Sequence, residues 1–364
     1  MRSMRSTRTR RGAAIISALL VVALSAILVS GMLWRQQVQL RRIENQRLLA
    51  QGQWIARASL DWTRLVLRSE ADTTAGITYL GGTWGVPLAK TRLSDFLGQI
   101  GEAHAEQGAD TWISGSIEDA QARFNLRDLV ATSAPGSLQV NLAQIEAFAR
   151  LLQILGLNSQ LAKNTALYLR SGLAYSATRF QAQPTAMNSG SQTPPLAAGG
   201  GSAGGGNYSD NPGLADAESN SGVAPLLMTS VDSLLDVPGF TPDVVARLRP
   251  FVTVLPTVTP VNMNTASAEV IASVVTGLSL SNAQALVAHR QNVFFRNVAD
   301  VQLALQGAGV KEVSVDTTQI DVNTSYFLVH GRVQHERAEV DRTTLVWRDP
   351  LTHTTRVVRV RDEP

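Results

Sequence analysis

The sequence predicts an α+β fold: one long N-terminal helix, a small antiparallel sheet, and a large helical domain inserted within the sheet. Three observations carry that expectation. Residues Ala13 to Leu33 form 21 consecutive uncharged positions that run without a break into a helical pattern. Three segments near the C-terminus alternate apolar and polar residues. Between these regions lie helix–turn–helix units of similar build.

The N-terminal stretch "RRGAAIISALLVVALSAILVSGML" covers Arg10 to Leu33. At 1.5 Å per residue its uncharged part is about 31 Å long, the thickness of one bilayer core. A secretory signal has a shorter apolar region, about 7–15 residues, and ends in a small-residue cleavage site. Here Trp34 to Glu70 continues with Trp34, Val38, Leu48, Ile55, Trp62 and Leu65 near helical spacing, without Pro. One helix is therefore expected from Ala13 to about Ser69, with residues 13–33 in the membrane. Arg2, Arg5, Arg8, Arg10 and Arg11 precede the span, which places the N-terminus in the cytoplasm by the positive-inside rule.

With 364 residues the chain can hold two domains, or one domain with a large insertion. Its net charge of +3 is concentrated at the tip: without the five leader arginines, 27 basic side chains face 29 acidic ones. The body therefore lacks the basic balance of a nucleic-acid-binding domain. There is no cysteine, which excludes disulfides, Cys-type zinc sites and thiol nucleophiles.

Past the anchor, residues 34–126 are expected to hold the emerging helix and the first strand, "TWISGSIEDAQARFNL" from Thr111. Residues 127–318 read as the inserted helical domain. Its units turn at Gly156-Leu157, Pro238-Gly239 and Gly277-Leu278. Thr241 is the expected N-cap before Pro242, and Ser281 with Gln284 the expected capping box of the last unit. Within this domain, residues 181–225 hold nine Gly, five Pro and six Ser and read as a disordered loop. Its GxGxxG (Gly199, Gly201, Gly204) and GxSxG (Ser202) matches lack the strand–turn–helix context that gives those patterns their chemistry. Residues 319–364 hold "SYFLVHGRVQ", "AEVDRTTLVWR" and "TRVVRVRD", an antiparallel meander expected to bury one face against the long helix.

No catalytic signature emerges. His330 and His335 are five apart, so on one strand they face opposite ways. Glu118 and Asp119 read as solvated acids at a strand end. Asp210, Asp216 and Glu218 are the candidate oxygen ligands for calcium, although their spacing departs from the EF-hand pattern. The hairpins look like helix-hairpin-helix or SAM-like units, some of which bind DNA. Residues 231–305, however, carry four Arg against four Asp and one Glu, so no nucleic acid is expected as partner.

A short basic leader ending in Gly12 directly before an apolar run resembles the class III signal of type IV pilins and pseudopilins. Together with "SGSIEDAQARFNLRDL", "VNMNTASAEVIASVVTGLSLSNAQALVAHR" and "SYFLVHGRVQHERAEV", it resembles the type II secretion system minor pseudopilin family of general secretion pathway protein K. The resemblance implies a pilin-like fold with an inserted α-domain and no enzymatic activity. It implies cleavage by prepilin peptidase between Gly12 and Ala13, methylation of the new terminus, and retention of the helix in the inner membrane with the bulk of the chain in the periplasm. Most pilins carry Glu at the fifth mature position, where this chain has Ser17, and protein K lacks that Glu too. The implied partners are minor pseudopilins I and J in a tip complex, with exoprotein substrates and the secretin as further contacts. The implied cofactor is calcium. The rival expectation is a membrane-anchored helix-hairpin-helix DNA-binding protein of the competence type.

Overall fold

The structure, a computed structural model, describes residues 9–99, 110–134, 137–181, 225–307 and 318–363. Helix α1 (Thr9–Thr74) is 66 residues long, or about 100 Å. It enters the described residues already helical and stops at Ala75 and Gly76, where φ turns positive (53° and 83°). The Gly76 N–H then closes onto the Ala71 carbonyl at 3.0 Å. Its outer half is amphipathic: Leu48, Ala56, Leu67 and Ala71 are buried, and the intervening Arg and Gln residues are largely exposed.

Strand β1 (Leu88–Arg92) and the short helix α2 (Leu93–Gln99) follow, then β2 (Thr111–Asp119). The chain next passes through a series of small elements that build the helical domain. They are β3 (Phe124–Asn125), β4 (Val130–Ala134), β5 (Ser137–Val140), α3 (Leu142–Ile154), α4 (Leu161–Gln181), α5 (Pro242–Leu248), β6 (Val252–Thr253), β7 (Val261–Asn262), α6 (Ala268–Val274), α7 (Leu280–Asn292), α8 (Val298–Gly307) and β8 (Ile320–Asp321). The meander β9 (Tyr326–His335), β10 (Ala338–Arg348) and β11 (Thr355–Glu363) completes the chain.

The main sheet runs β1-β2-β9-β10-β11, antiparallel throughout. Neighbouring residues on a strand point to opposite faces; both faces are covered over the central strands β2, β9 and β10, while β1 and β11 stay largely exposed. Val346 packs with Leu67 of α1, Trp84, Phe327 and Val329, while its neighbour Leu345 packs with Ala120, Leu255 and Tyr326. The sheet is thus clamped between the anchor helix on one side and the helical domain on the other.

The helical domain has its own core, centred on Phe124 stacked against Phe148 (5.4 Å) with Leu126, Leu151, Leu248, Met263 and Ile271 fully buried. Its three turns fall at Gly156, Gly239 and Gly277, all in left-handed backbone (φ 68°, 95° and 80°) where a side chain would be strained. Thr241 caps α5 with Pro242 next to it, as the sequence predicts. Elsewhere the details differ. The segment before Pro238 is a 3-10 turn (Val231–Asp236), not a full helix. The cap of α7 is Ser279, which accepts from the Asn282 N–H; Ser281 lies two residues further on, within the first turn, and bonds Ser279. The helical core also extends past the expected limits of 127 and 318, taking in Phe124, Leu126, Ile320 and Val322.

Strand β1 and helix α2 were not expected. β1 is an edge strand with Lys90 and Arg92 among mostly exposed residues, and such an edge carries little hydrophobic alternation to read. Its cations lie over the Trp112 ring of β2 instead (5.4 and 5.1 Å).

Between α1 and the sheet is an apolar cavity of about 390 Å³, lined by Ala56, Ser59, Thr63 and Trp84 among others. Its floor includes Gly115 and Gly331, which oppose each other on β2 and β9. A Cβ on Gly331 would meet nothing within 4 Å, whereas one on Gly115 would lie 2.7 Å from the His330 carbonyl oxygen. Gly331→Ala is therefore expected to leave stability unchanged or raise it by up to about 1 kcal/mol. Gly115→Ala should cost about 1–3 kcal/mol through backbone displacement. Thermal unfolding of the full-length protein in detergent measures both, and equal effects would contradict this packing.

Candidate functional site: a membrane anchor and an interdomain seam

The first functional feature is the apolar half of α1. Its span has a mean hydropathy of 2.5, and nothing among the described residues covers it. Large side chains from Ile15 to Leu33 are more than half exposed, which no aqueous surface would sustain. Polar groups within it are satisfied internally, as Ser25 Oγ shows by bonding the Val21 carbonyl at 2.8 Å. Ser17 sits exposed on this helix, and Gly12 and Ala13 fall in its helical backbone. Residues 1–8 of the leader lie outside the described residues, as do the calcium candidates Asp210, Asp216 and Glu218 and nearly all of 181–225.

The second feature is a polar seam where the sheet meets the helical domain. Asp119 ends β2 and is fully buried. Its Oδ1 accepts the Gln121 N–H (2.8 Å), and its Oδ2 accepts from Asn262 Nδ2 (2.9 Å), Thr265 Oγ1 (2.6 Å) and Thr324 Oγ1 (2.7 Å). Asn262 also donates to the Thr78 carbonyl at 3.1 Å, reaching the loop that follows α1. At the end of β10, Arg348 donates to the carbonyls of Leu67 (3.1 Å) and Thr324 (3.0 Å) and to Thr78 Oγ1 (2.8 Å). Its guanidinium lies 4.7 Å from the Phe327 ring centroid. The helix, the sheet and the insert thus meet in one hydrogen-bonded cluster.

Burial governs the electrostatics of this seam. It pushes the Asp119 carboxyl upward against four hydrogen bonds that favour the charged form. The same effect lowers Arg348 to about 10, opposed by the charges of Asp119 and Glu70. Glu70 is raised by burial, while its bond from the Trp84 N–H (3.0 Å) pulls the other way. A buried charge of this kind persists only with its partners in place.

The expectation of solvated acids at 118–119 is therefore corrected for Asp119. Glu118 does stay half-exposed, 3.6 Å from His330 and paired with Arg123, neighbours that hold its pKa low. The signal for Asp119 was present in the alternation of β2, which puts it on the same face as Ile113 and Ile117. Its partners, however, come from residues 262, 265 and 324, which no local pattern connects.

A second buried carboxylate lies inside the helical domain. Asp128 Oδ1 accepts from Asn125 Nδ2 (3.1 Å) and the Thr259 N–H (3.0 Å). Asn125 in turn ties the Leu255 N–H (3.1 Å) and the Thr257 carbonyl (2.8 Å) to the same turn. Burial pushes Asp128 up to about 8.

Four described histidines have side-chain partners: His353 pairs with Asp72 (2.7 Å), His335 with Thr111 (2.7 Å) and His330 with Thr343 (3.0 Å), and His289 stacks on Phe295. Among the described residues no group of three His, Asp or Glu could hold a metal ion.

A helix with a bare apolar half, whose other half packs on a small antiparallel sheet interrupted by a helical domain, defines a pilin-like, membrane-anchored subunit. The chain belongs to the type II secretion system protein K family, a family of minor pseudopilins of that system. Two models described as type II secretion system, protein K, match residues 122–257 and 261–323, together more than half the chain. The type II secretion system protein K of Pseudomonas aeruginosa is 28% identical over 352 residues, covering 93% of this chain and 89% of that protein. Among solved structures, the fold is similar to a chain in the crystal structure of the GspK-GspI-GspJ complex from enterotoxigenic Escherichia coli, with a TM-score of 0.54 at 14% identity. That match covers 89% of this chain and 99% of the other.

Two predictions follow from the buried acids. Asp119→Ala should remove the acceptor shared by Asn262, Thr265 and Thr324 and destabilise the protein by about 3 kcal/mol, read by denaturant unfolding. A wild-type-like midpoint would contradict the seam. For Asp128, the folded state holds a proton between the ordinary carboxylate pKa and about 8 that the unfolded chain has released. Its contribution therefore falls as pH rises across that window and is flat above it, by an amount on the order of a few kcal/mol. Asp128→Asn should flatten the slope between about pH 5 and 8. An unchanged slope would show that Asp128 does not titrate there.

Proposed function

We propose that this minor pseudopilin caps the tip of the pseudopilus, assembling there with minor pseudopilins I and J and supporting export across the outer membrane. The observation that carries the reading is Ser17. In a filament, a carboxylate at the fifth mature position neutralises the N-terminal amine of the neighbouring subunit nearer the tip. A serine there offers no charge to an amine above, and an unpaired buried amine is expensive. A subunit with nothing above it does not need the carboxylate. The solved relative's presence in a complex with GspI and GspJ supports those partners.

In this reading prepilin peptidase cuts between Gly12 and Ala13, methylates the new terminus and leaves the span in place. Because this bond lies in helical backbone, the first turns of α1 must unwind to present it to the enzyme. The anchor crosses the inner membrane once, with the leader in the cytoplasm and the sheet and helical domain in the periplasm. The role is mechanical, not enzymatic. Exoprotein substrates and the secretin are the contacts next in line.

N-terminal sequencing of the protein extracted from membranes of cells with prepilin peptidase should begin at Ala13, and Gly12→Ala should accumulate the uncut form. Co-purification of pseudopilins I and J with the processed protein tests the tip complex. An intact Met1 terminus in wild type, or recovery of the processed protein without I and J, would overturn the proposal.

A further inference from the structure

Directly beyond the membrane span, α1 carries Arg35, Arg41, Arg42 and Arg47, all exposed. Among the described residues none of the four has an ion pair or a side-chain hydrogen bond. Between residues 13 and 60 the only acid is Glu44, and it is turned to Arg337 in the β9–β10 hairpin at 3.1 Å, with Asn45 bonding the same guanidinium at 2.8 Å. Among the described residues, the carboxylates therefore leave the four charges unanswered.

Their placement fits a flat layer more than a neighbouring protein. At 3.6 residues per turn, Arg35 and Arg42 share one side of the helix, and Arg41 stands about 120° away from them. A partner helix would meet one of these two sides; a headgroup layer meets both. Counted from Leu33, Arg35 is about 3 Å beyond the apolar span, Arg41 and Arg42 about 12–14 Å, and Arg47 about 21 Å. Headgroups fill roughly the first 5–7 Å beyond the hydrocarbon. The field of lipid phosphate then decays over about 8 Å at physiological salt. Arg35, Arg41 and Arg42 fall within that reach, and their long side chains can extend back toward the interface. Arg47 lies outside it.

We propose that Arg35, Arg41 and Arg42 form a belt that binds the phosphates of anionic phospholipids in the leaflet facing the sheet-bearing domain. The belt rests on the reading of residues 13–33 as a membrane anchor. Its partner is a lipid surface, and it fixes the depth of α1 from the side opposite the leader. Once the leader's five arginines are removed, it is the nearest cluster of positive side chains to the span.

The test uses the processed protein, beginning at Ala13 and so free of the leader arginines, reconstituted into vesicles that mix phosphatidylglycerol and phosphatidylcholine, with a trace of either lipid spin-labelled. Wild type should immobilise labelled phosphatidylglycerol over phosphatidylcholine by at least about fivefold, the worth of one arginine near the surface. R35Q/R41Q/R42Q should bring the two lipids to parity, as should about 1 M salt, where the screening length falls to about 3 Å. R47Q should change little. Equal immobilisation of both lipids by wild type would overturn the belt, and so would selectivity that survives the triple substitution. Alkaline extraction of the same vesicles reports the anchor separately: protein that washes off overturns the anchor reading and the belt with it, whereas retained protein without selectivity overturns only the belt.

Discussion

The hydrogen bonds that Asp119 accepts hold this architecture together. The chain leaves the sheet at Asp119 and returns just before Tyr326, so one short junction must anchor everything inserted between. A single carboxylate takes donors from β7, from the turn that precedes α6 and from the approach to β9. Asn262 and Arg348 extend the same cluster to the loop after α1 and to the helix itself. Removing the carboxylate would take away the acceptor shared by Asn262, Thr265 and Thr324 in a buried setting, a penalty that a small hydrophobic contact could not offset.

With that junction fixed, the rest of the fold follows from covering two faces of one sheet. Phe327, Val329 and Val346 face the helix that comes from the membrane, and Leu345 and Tyr326 face the insert. Its central strands are covered on both faces, so the sheet couples the long helix to a domain that carries its own core. That rigid coupling suits a subunit whose proposed work is to present a domain at the end of a filament.

Much of this was legible beforehand, for identifiable physical reasons. The long helix needs only an unbroken apolar run followed by amphipathic spacing without Pro, and it was expected within about five residues of its observed limits. The meander strands alternate strongly because one of their faces meets a helix, and the turns at Gly156, Gly239 and Gly277 mark backbone that other residues avoid. What escaped was either weakly patterned or non-local. Strand β1 is a charged edge, Ser279 and Ser281 differ as caps only in which backbone N–H each can reach, and Asp119 depends on partners more than a hundred residues away. The anchor's junction at Gly12 and Ala13 and the serine at 17 were read from resemblance to pilin leaders, and their meaning belongs to the assembled filament.

The most direct test of the account is to locate the protein in assembled pseudopili. Filaments formed with pseudopilins I and J present, and with this chain carrying a gold label on the helical domain, would be imaged by electron microscopy. The account predicts label at one end of each filament and none along the shaft; label distributed along the shaft would contradict it.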